Sequence, residues 1–392
     1  MEVVQFYMNR YHDNMRSLNV LPPSIEPRAT GHMIEQQQFI ERILESGYAY
    51  EVNGSVYFDV EKYNVNHHYG ILSGRKTEDL LANTRQLEGQ SEKRGPFDFS
   101  LWKKAGPSHI MRWPSRWGEG YPGWHLECSA MSTRYLGQEF DIHGGGMDLL
   151  FPHHECEIAQ NVACNGKPAV KYWMHNNMVT VNGKKMGRSL GNFITLDEFF
   201  TGDHELLDRA FDPMTIRFFI LQAHYRNPLD FTTDALRGSE KGLSRLLNVF
   251  ELIDRIRVSP GGTADVKKLV GQCESALRDD LNTPGLIAYL FDGVKMVNAI
   301  LEGHSTVDRW GKEALLSLFR TMLFDILGLK DQGKEISGGS DLTASLVELI
   351  LQLRKEARER KDFAASDRLR DELIRLGVTL KDTRDGTDWE IR

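Results

Sequence analysis

Cysteine is scarce in this sequence. There are four in 392 residues, Cys128, Cys156, Cys164 and Cys273, and no two form a Cys-x-x-Cys pair. That excludes a disulfide framework in a chain of this size and favours a reducing compartment. Positive charge is not in excess either: 48 Lys and Arg stand against 55 Asp and Glu, a formal charge of −7. A nucleic-acid partner must then be met by local basic patches rather than by net attraction. No run of about 18 apolar residues occurs, so there is no candidate membrane span. The opening stretch MEVVQFYMNRYHDN carries acid and lacks the apolar core of a signal peptide. Internal repeats and low-complexity tracts are also missing. These absences predict a cytoplasmic chain without membrane contact. What remains is ordinary for a globular protein, 41% hydrophobic and 26% charged, and long enough for two to four domains.

The stretch that organises the rest runs from Glu139 to Glu157, EFDIHGGGMDLLFPHHECE. The run Phe140 to Ile142 reads as a short strand. Gly144, Gly145 and Gly146 then predict a break, with a helix resuming from about Pro152. Strand, glycine turn and helix start is the layout by which α/β sheets hold ligands beyond their strand ends. Glycine lets the backbone adopt positive φ and approach a ligand closely. Asp148 follows where a carboxylate can accept hydrogen bonds from ribose hydroxyls. His153 and Glu157 are four apart and share a helix face; His154, three before Glu157, also reaches it. With Cys128 they offer a sulfur, an imidazole and a carboxylate, a donor set that suits zinc. Spacing alone leaves the choice between His153 and His154 open.

Taken in order, the apolar positions Val4, Met8, Tyr11, Met15 and Leu18 predict an amphipathic helix over residues 3–19 with a face to bury. Pro22, Pro23 and Pro27 end it. A second helix is expected over 34–44. Asn53-Gly54 and Asn182-Gly183 each predict a tight hairpin. Residues 61–120, polar and weakly patterned, read as a loop-rich inserted subdomain containing Trp102, Trp113 and Trp117. Helical patterning resumes at Pro213. Leu236, Leu243, Leu246, Leu247, Phe250 and Ile253 form a core stripe. Thr283 and Pro284 read as an N-cap and first helical residue, opening a helix to about 302, and another is expected over 312–327. The composition of Gln332 to Asp341 is that of a linker. The last 50 residues begin helically and carry nine Lys and Arg between Arg354 and Lys381, interleaved with acids.

Three blocks carry a resemblance: Gly123 to Met131 (GWHLECSAM), Asp141 to Gln160 (DIHGGGMDLLFPHHECEIAQ) and Lys185 to Asn192 (KMGRSLGN). Together they resemble cysteinyl-tRNA synthetase, a class I aminoacyl-tRNA synthetase. The resemblance implies an α/β Rossmann-like catalytic domain, incomplete and with its first half largely missing, a connective insert, an α-helical bundle and a small C-terminal α+β module. It divides the chain into a remainder of the first half-fold (1–29), the insert (30–121), the second half-fold (122–178), the KMSKS-loop and stem-contact region (179–235), the bundle (236–330) and an anticodon module (341–392). It implies Lys185 and Arg188 as catalytic, and Gly144, Gly145, Gly146, Asp148, Met178, Val179 and Lys185 around ATP with Mg2+. Trp124 and His143 fall in the cysteine pocket, and Trp389 meets an unpaired tRNA base. It selects His153 over His154, giving one zinc on Cys128, His153 and Glu157, with a fourth ligand expected from a cysteine upstream of Met1.

Within the KMSKS-type loop, Gly187 and Arg188 replace the first serine and second lysine. No HIGH-type string occurs in a suitable context, Gly31-His32 and His143-Gly144 being the nearest. The expectation is therefore a chain truncated before its first helix, a weak or inactive catalyst alone, monomeric, with a separate N-terminal fragment as a partner beside cysteine, ATP and the cysteine-specific tRNA. Two other readings compete: a non-catalytic tRNA-binding remnant, and a cysteine–amino-sugar ligase. The bundle and terminal module argue against the latter, since a small acceptor needs no anticodon reader.

Overall fold

The chain enters as α1 (Glu2–Ser17), as the four–three spacing predicts. Its apolar stripe is only partly buried, contrary to expectation: Val4 and Tyr11 stay more than half exposed, Met15 packs half-buried against the core, and Leu18, just past the helix, joins it. Polar ties hold this segment instead. Arg10 pairs with Asp197, and the Arg217 guanidinium donates to the carbonyls of Leu18 and Asn19 at 2.8 and 3.2 Å. The computed structural model describes residues 2–75, 92–330, 347, 349–358, 360, 362–375, 378–382 and 387–391. They divide into two units, Met1–Phe319 and Arg320–Arg392.

In the first unit α2 (Met33–Glu45) buries Phe39, Ile40 and Ile43. The strands β1 (Ala49–Val52) and β2 (Ser55–Phe58) follow, paired antiparallel. Asn53 and Gly54 between them both take positive φ, 52° and 84°, as a two-residue turn matched to strand twist requires. Asp59 caps α3 (Val60–Asn66) by accepting from the Lys62 amide at 2.9 Å. The polar region beyond is more ordered than its composition suggests. β3 (Phe99–Lys104) and β4 (Gly120–Pro122) complete a four-stranded antiparallel sheet in the order β1-β2-β3-β4. Ser100, Leu101 and Trp102 are all buried, so this strand has two covered faces and lacks the alternation that would have marked it.

The segment that positions the site is α4 (Leu126–Leu136), β5 (Phe140–Gly146), a wide turn over Leu150–His154, α5 (Glu155–Asn165) and β6 (Val170–Asn176). β5 and β6 pair in parallel, with Gly144 opposite Met174 and Gly145 opposite His175. Here the expected glycine break is corrected. The three glycines are the end of the strand, and none has positive φ. Closeness rather than turning demands glycine: a Cβ on Gly145 would lie 2.7 Å from the His154 ring. Helical backbone resumes at Pro152, as expected, in a wide turn through His154 that runs directly into α5. Phe151 is extended (φ −140°, ψ 133°), because the proline ring disfavours helical backbone in the residue before it.

The second hairpin joins β7 (Val179–Val181) to β8 (Lys184–Lys185), with Asn182 and Gly183 at φ 52° and 75°. A capping box on Thr195 and Glu198 opens α6 (Leu196–Thr201), and Asp212 with Pro213 opens α7 (Pro213–Leu221). β9 (Leu229–Phe231) pairs in parallel with β7. Helices then dominate: α8 (Thr233–Leu247), α9 (Val249–Asp254), α10 (Val266–Arg278), α11 (Thr283–Leu301) and α12 (Arg309–Arg320). Leu236, Leu243, Leu246 and Ile253 of the expected stripe are buried. The cap of α11 is one residue earlier than expected. The Asn282 side chain accepts from the Gly285 amide at 2.9 Å, while Thr283 is already helical. α11 is long and apolar enough to cross a membrane by length and composition, but it carries Asp292 and Lys295 and buries Leu286, Leu290, Val294 and Val297.

The second unit is helical over 349–358, continues in α13 (Phe363–Arg375) and ends in the antiparallel pair β10 (Val378–Asp382) and β11 (Thr387–Ile391). Val347, Leu373 and Val378 form its core. It is the small α+β module expected. The presumed linker Gln332 to Asp341 lies outside the described residues.

Gly145→Ala is expected to cost about 1–3 kcal/mol through overpacking against His154, read as a lower urea midpoint. Gly144→Ala would place its methyl an ordinary 3.6 Å from the Met174 carbonyl oxygen and is expected to change stability by less than about 0.5 kcal/mol. Equal midpoints would show that the His154 ring yields freely.

Candidate metal and nucleotide site

Three local features bring the sulfur, imidazole and carboxylate together. Cys128 stands in the first turn of α4, His153 in the wide turn and Glu157 in the first turn of α5. Their ligand atoms lie within 4.8 Å of one another. His153 Nε2 is 3.1 Å from Glu157 Oε1, the contact that four-residue spacing predicts. Glu157 is 3% exposed and His153 8%, and the buried Nδ1 of His153 has no hydrogen-bond partner among the described residues. The Glu157 carbonyl is braced by the Asn161 amide group at 2.8 Å.

The electrostatics favour a cation here. Burial, and after it the charges of Glu157 and Glu127, push the Cys128 thiol up to about 12. A thiolate beside a buried carboxylate is costly without a positive partner. No Lys or Arg pairs with Glu157 among the described residues; its ion-pair neighbours are His153 and His143. Sulfur, nitrogen and oxygen donors converging in a buried pocket fit zinc.

The structure sorts the two adjacent histidines. His153 faces Cys128. His154 belongs to a second group, His143, His154 and Glu157, whose ligand atoms also lie within 4.8 Å. His143 Nε2 is 3.6 Å from Glu157 Oε2, and His154 Nδ1 is 2.8 Å from His175 Nε2. Burial, then His143, His175 and His153, lowers His154 to about 3, so it is neutral near pH 7. His125 is likewise lowered to about 3, by burial first and by His153 next. Trp124, 73% exposed, sets its ring 4.8 Å from that of His153. Of the expected pocket pair, Trp124 thus lies against His153 and His143 against Glu157. His175 and His125 were given no role from the sequence, although WMHNN and GWH display them, and His154 was weighed only as an alternative to His153.

The residues expected around the nucleotide lie at or beside strand ends in two sheets. Gly144, Gly145 and Gly146 close β5, and Asp148 is exposed in the loop after it. Met178 precedes β7 and Val179 begins it. The Met178 amide donates to Asn177 Oδ1 at 2.8 Å, and its carbonyl accepts from the Leu229 amide at 3.0 Å. Lys185 lies on β8, exposed and free of any ion pair among the described residues. Arg188 opens a short 3-10 turn and lays its guanidinium 5.2 Å from the centre of the Phe193 ring. Asn192 ties this loop, accepting from the Gly187 amide and donating to the Lys185 carbonyl, both at 3.0 Å. An amide side chain, donor and acceptor at once, is what such a brace needs. Trp389 is in the second unit, where its backbone pairs with Leu380; its side chain lies outside the described residues.

Comparison with known proteins places these features in context. The family described as the tRNA synthetase class I (C) catalytic domain matches residues 1–241. The DALR domain matches 272–331, and the cysteinyl-tRNA ligase anticodon-binding domain matches 341–389. The chain is 57% identical to a cysteine–tRNA ligase of Bacteroides fragilis, over 100% of this chain and 80% of that relative. One from Porphyromonas gingivalis gives the same identity and coverage. Among solved structures, a Mycobacterium tuberculosis methionyl-tRNA synthetase in complex with methionyl-adenylate is similar at TM-score 0.50. It is 11% identical, with 80% of this chain and 74% of that one covered, a likeness of fold.

Loaded with zinc and dialysed, the chain is expected to retain about one ion. Cys128→Ala and Glu157→Gln should lose most of it in a metal assay, and His154→Ala should keep it. Retention by Cys128→Ala with loss in His154→Ala would put the ion on His143, His154 and Glu157 instead.

Proposed function

The chain belongs to the cysteinyl-tRNA synthetase family, and from that premise we propose how its residues divide the work of cysteine–tRNA ligation. The reaction activates cysteine with ATP to cysteinyl-adenylate, then transfers it to the 3′ end of its tRNA. The observation that carries the reading is the buried set Cys128, His153 and Glu157.

Zinc on that set would supply a thiophilic ion that takes the substrate thiol and discriminates against the hydroxyl of serine. Selection of this kind is needed because pocket shape separates near-isosteres poorly. Trp124 and His143 flank the side chain so placed, and Glu157 fixes both imidazoles around it. The glycines of β5 let the adenylate approach the backbone, and Asp148 accepts from its ribose hydroxyls. Met178 and Val179 border the base.

Lys185 meets the negative charge that builds as pyrophosphate leaves, with Mg2+ accompanying ATP. Arg188 keeps the second positive charge of the loop in a planar fork rather than a compact ammonium. Asn192 holds the loop in shape. The C-terminal module serves the tRNA, with Trp389 as a stacking residue. Its match to an anticodon-binding domain supports tRNA rather than an amino sugar as acceptor. A cytoplasmic setting accords with four free cysteines.

Cysteine-dependent ATP–pyrophosphate exchange tests the assignment. Cysteine is expected to support exchange and serine not, and Lys185→Ala to slow it by about 10²–10³-fold. Equal exchange with serine, or indifference to Lys185→Ala, would overturn it.

A further inference from the structure

The turn joining α10 to α11 holds two consecutive residues in left-handed backbone, Asp280 at φ 54° and Leu281 at φ 53°. A leucine is seldom found there, since its Cβ crowds the following carbonyl. Burial offers no compensation, because Leu281 is 53% exposed. Backbone of this kind persists only where the surroundings hold it. The side chain of Asp280 is held from outside the helical bundle. Tyr225 Oη donates to Asp280 Oδ1 at 2.7 Å, and Arg226 Nε donates to Oδ2 at 2.8 Å. His224 Nε2 stands 3.1 Å from the Asp280 carbonyl oxygen. All three oxygens of Asp280 therefore meet the loop between α7 and β9.

The same loop faces the other way with its carbonyls. The Asn177 backbone amide donates to the Tyr225 carbonyl, and Asn177 Nδ2 donates to that of Arg226, both at 2.8 Å. Asn177 Oδ1 in turn accepts from the Met178 amide at 2.8 Å. Met178 is thus fixed at both backbone groups, by Asn177 and by the Leu229 amide. Its side chain stays 48% exposed, free to lie against a ligand. Tyr225 and Arg226 therefore grip the bundle with their side chains and the residue before Met178 with their backbone.

A single exposed ion pair contributes little to holding a structure. Here three contacts converge on one aspartate and act on three consecutive loop residues, and two of them are hydrogen bonds to a charged carboxylate, the stronger kind. We propose that Asp280 is a positioning residue for the nucleotide. Through Tyr225, Arg226 and Asn177 it sets the backbone of Met178, against which the base lies. The helical bundle thereby shapes a site whose own residues belong to the strands. The proposal rests on the reading of Met178 and Val179 as the border of the base.

Calorimetric titration of the zinc-loaded full chain with cysteinyl-sulfamoyl-adenosine, and separately with cysteine, tests this without turnover. Asp280→Ala is expected to weaken binding of the adenosine analogue about ten-fold. Tyr225→Phe, which removes a single hydroxyl, should weaken it roughly three-fold. Asp280→Asn keeps an acceptor for Tyr225 and tolerates left-handed backbone, so it should restore most of what Asp280→Ala loses. The Kd for cysteine and the binding stoichiometry should be unchanged in all three. Unchanged analogue affinity, with only the stoichiometry or Tm lowered, would make the contact purely structural and overturn the proposal. Equal weakening of cysteine and analogue would overturn it too. Asn177→Ala checks the underlying reading and should weaken the analogue as much as Asp280→Ala. Weakening by Asn177→Ala but not by Asp280→Ala would overturn the role of Asp280 alone. No effect of Asn177→Ala, or no binding by the unaltered chain, would overturn the nucleotide reading and the proposal with it.

Discussion

Glu157 is a carboxylate at 3% exposure whose only ion-pair partners among the described residues are two imidazoles. Removing such a charge from water costs on the order of several kcal/mol unless a cation meets it. Much of the surrounding architecture serves to bring donors to it. α5 points it inward, the wide turn before α5 sets His153 on one side, and β5 sets His143 on the other. Cys128 closes the group from α4. The close approach of β5, β6 and the wide turn needs a residue without Cβ at 145, since the His154 ring occupies the space a side chain would take. The glycine run is thus tied to the histidine cluster as well as to its proposed nucleotide role.

The same economy appears in the loop proposed to meet phosphate charge. Lys185 comes straight off a two-residue strand, fixed by the Asn182-Gly183 turn on one side and by Asn192 on the other. Its ammonium pairs with no carboxylate among the described residues. A charge held in place yet unpaired is what transition-state stabilisation asks of a side chain. In the proposed division of labour, the buried donor set chooses the amino acid and this exposed lysine assists its activation.

Much of this was legible in the sequence, for reasons that differ by element. Both hairpins were readable because Asn-Gly accepts positive φ at two successive positions. The contact of His153 with Glu157 followed from helical spacing. The strand β3 was hidden because both of its faces are covered and the polar residues around it belong to loops. The glycine run was misjudged because glycine signals both turning and closeness, and only the position of His154 tells them apart. Asn282 took the cap from Thr283 because Gly285 leaves room for its side chain. The apolar face of α1 was correctly read as amphipathic, but burial depends on a covering element, which periodicity does not supply. Spacing left His153 and His154 equivalent until the fold turned one toward Cys128 and the other toward His175.

The account turns on a metal set that selects a thiol, and zinc X-ray absorption on the loaded chain tests it most directly. One sulfur neighbour at about 2.3 Å is expected without substrate. A second should appear on adding cysteine and not on adding serine. A spectrum with no sulfur neighbour, or one that cysteine leaves unchanged, would contradict the account.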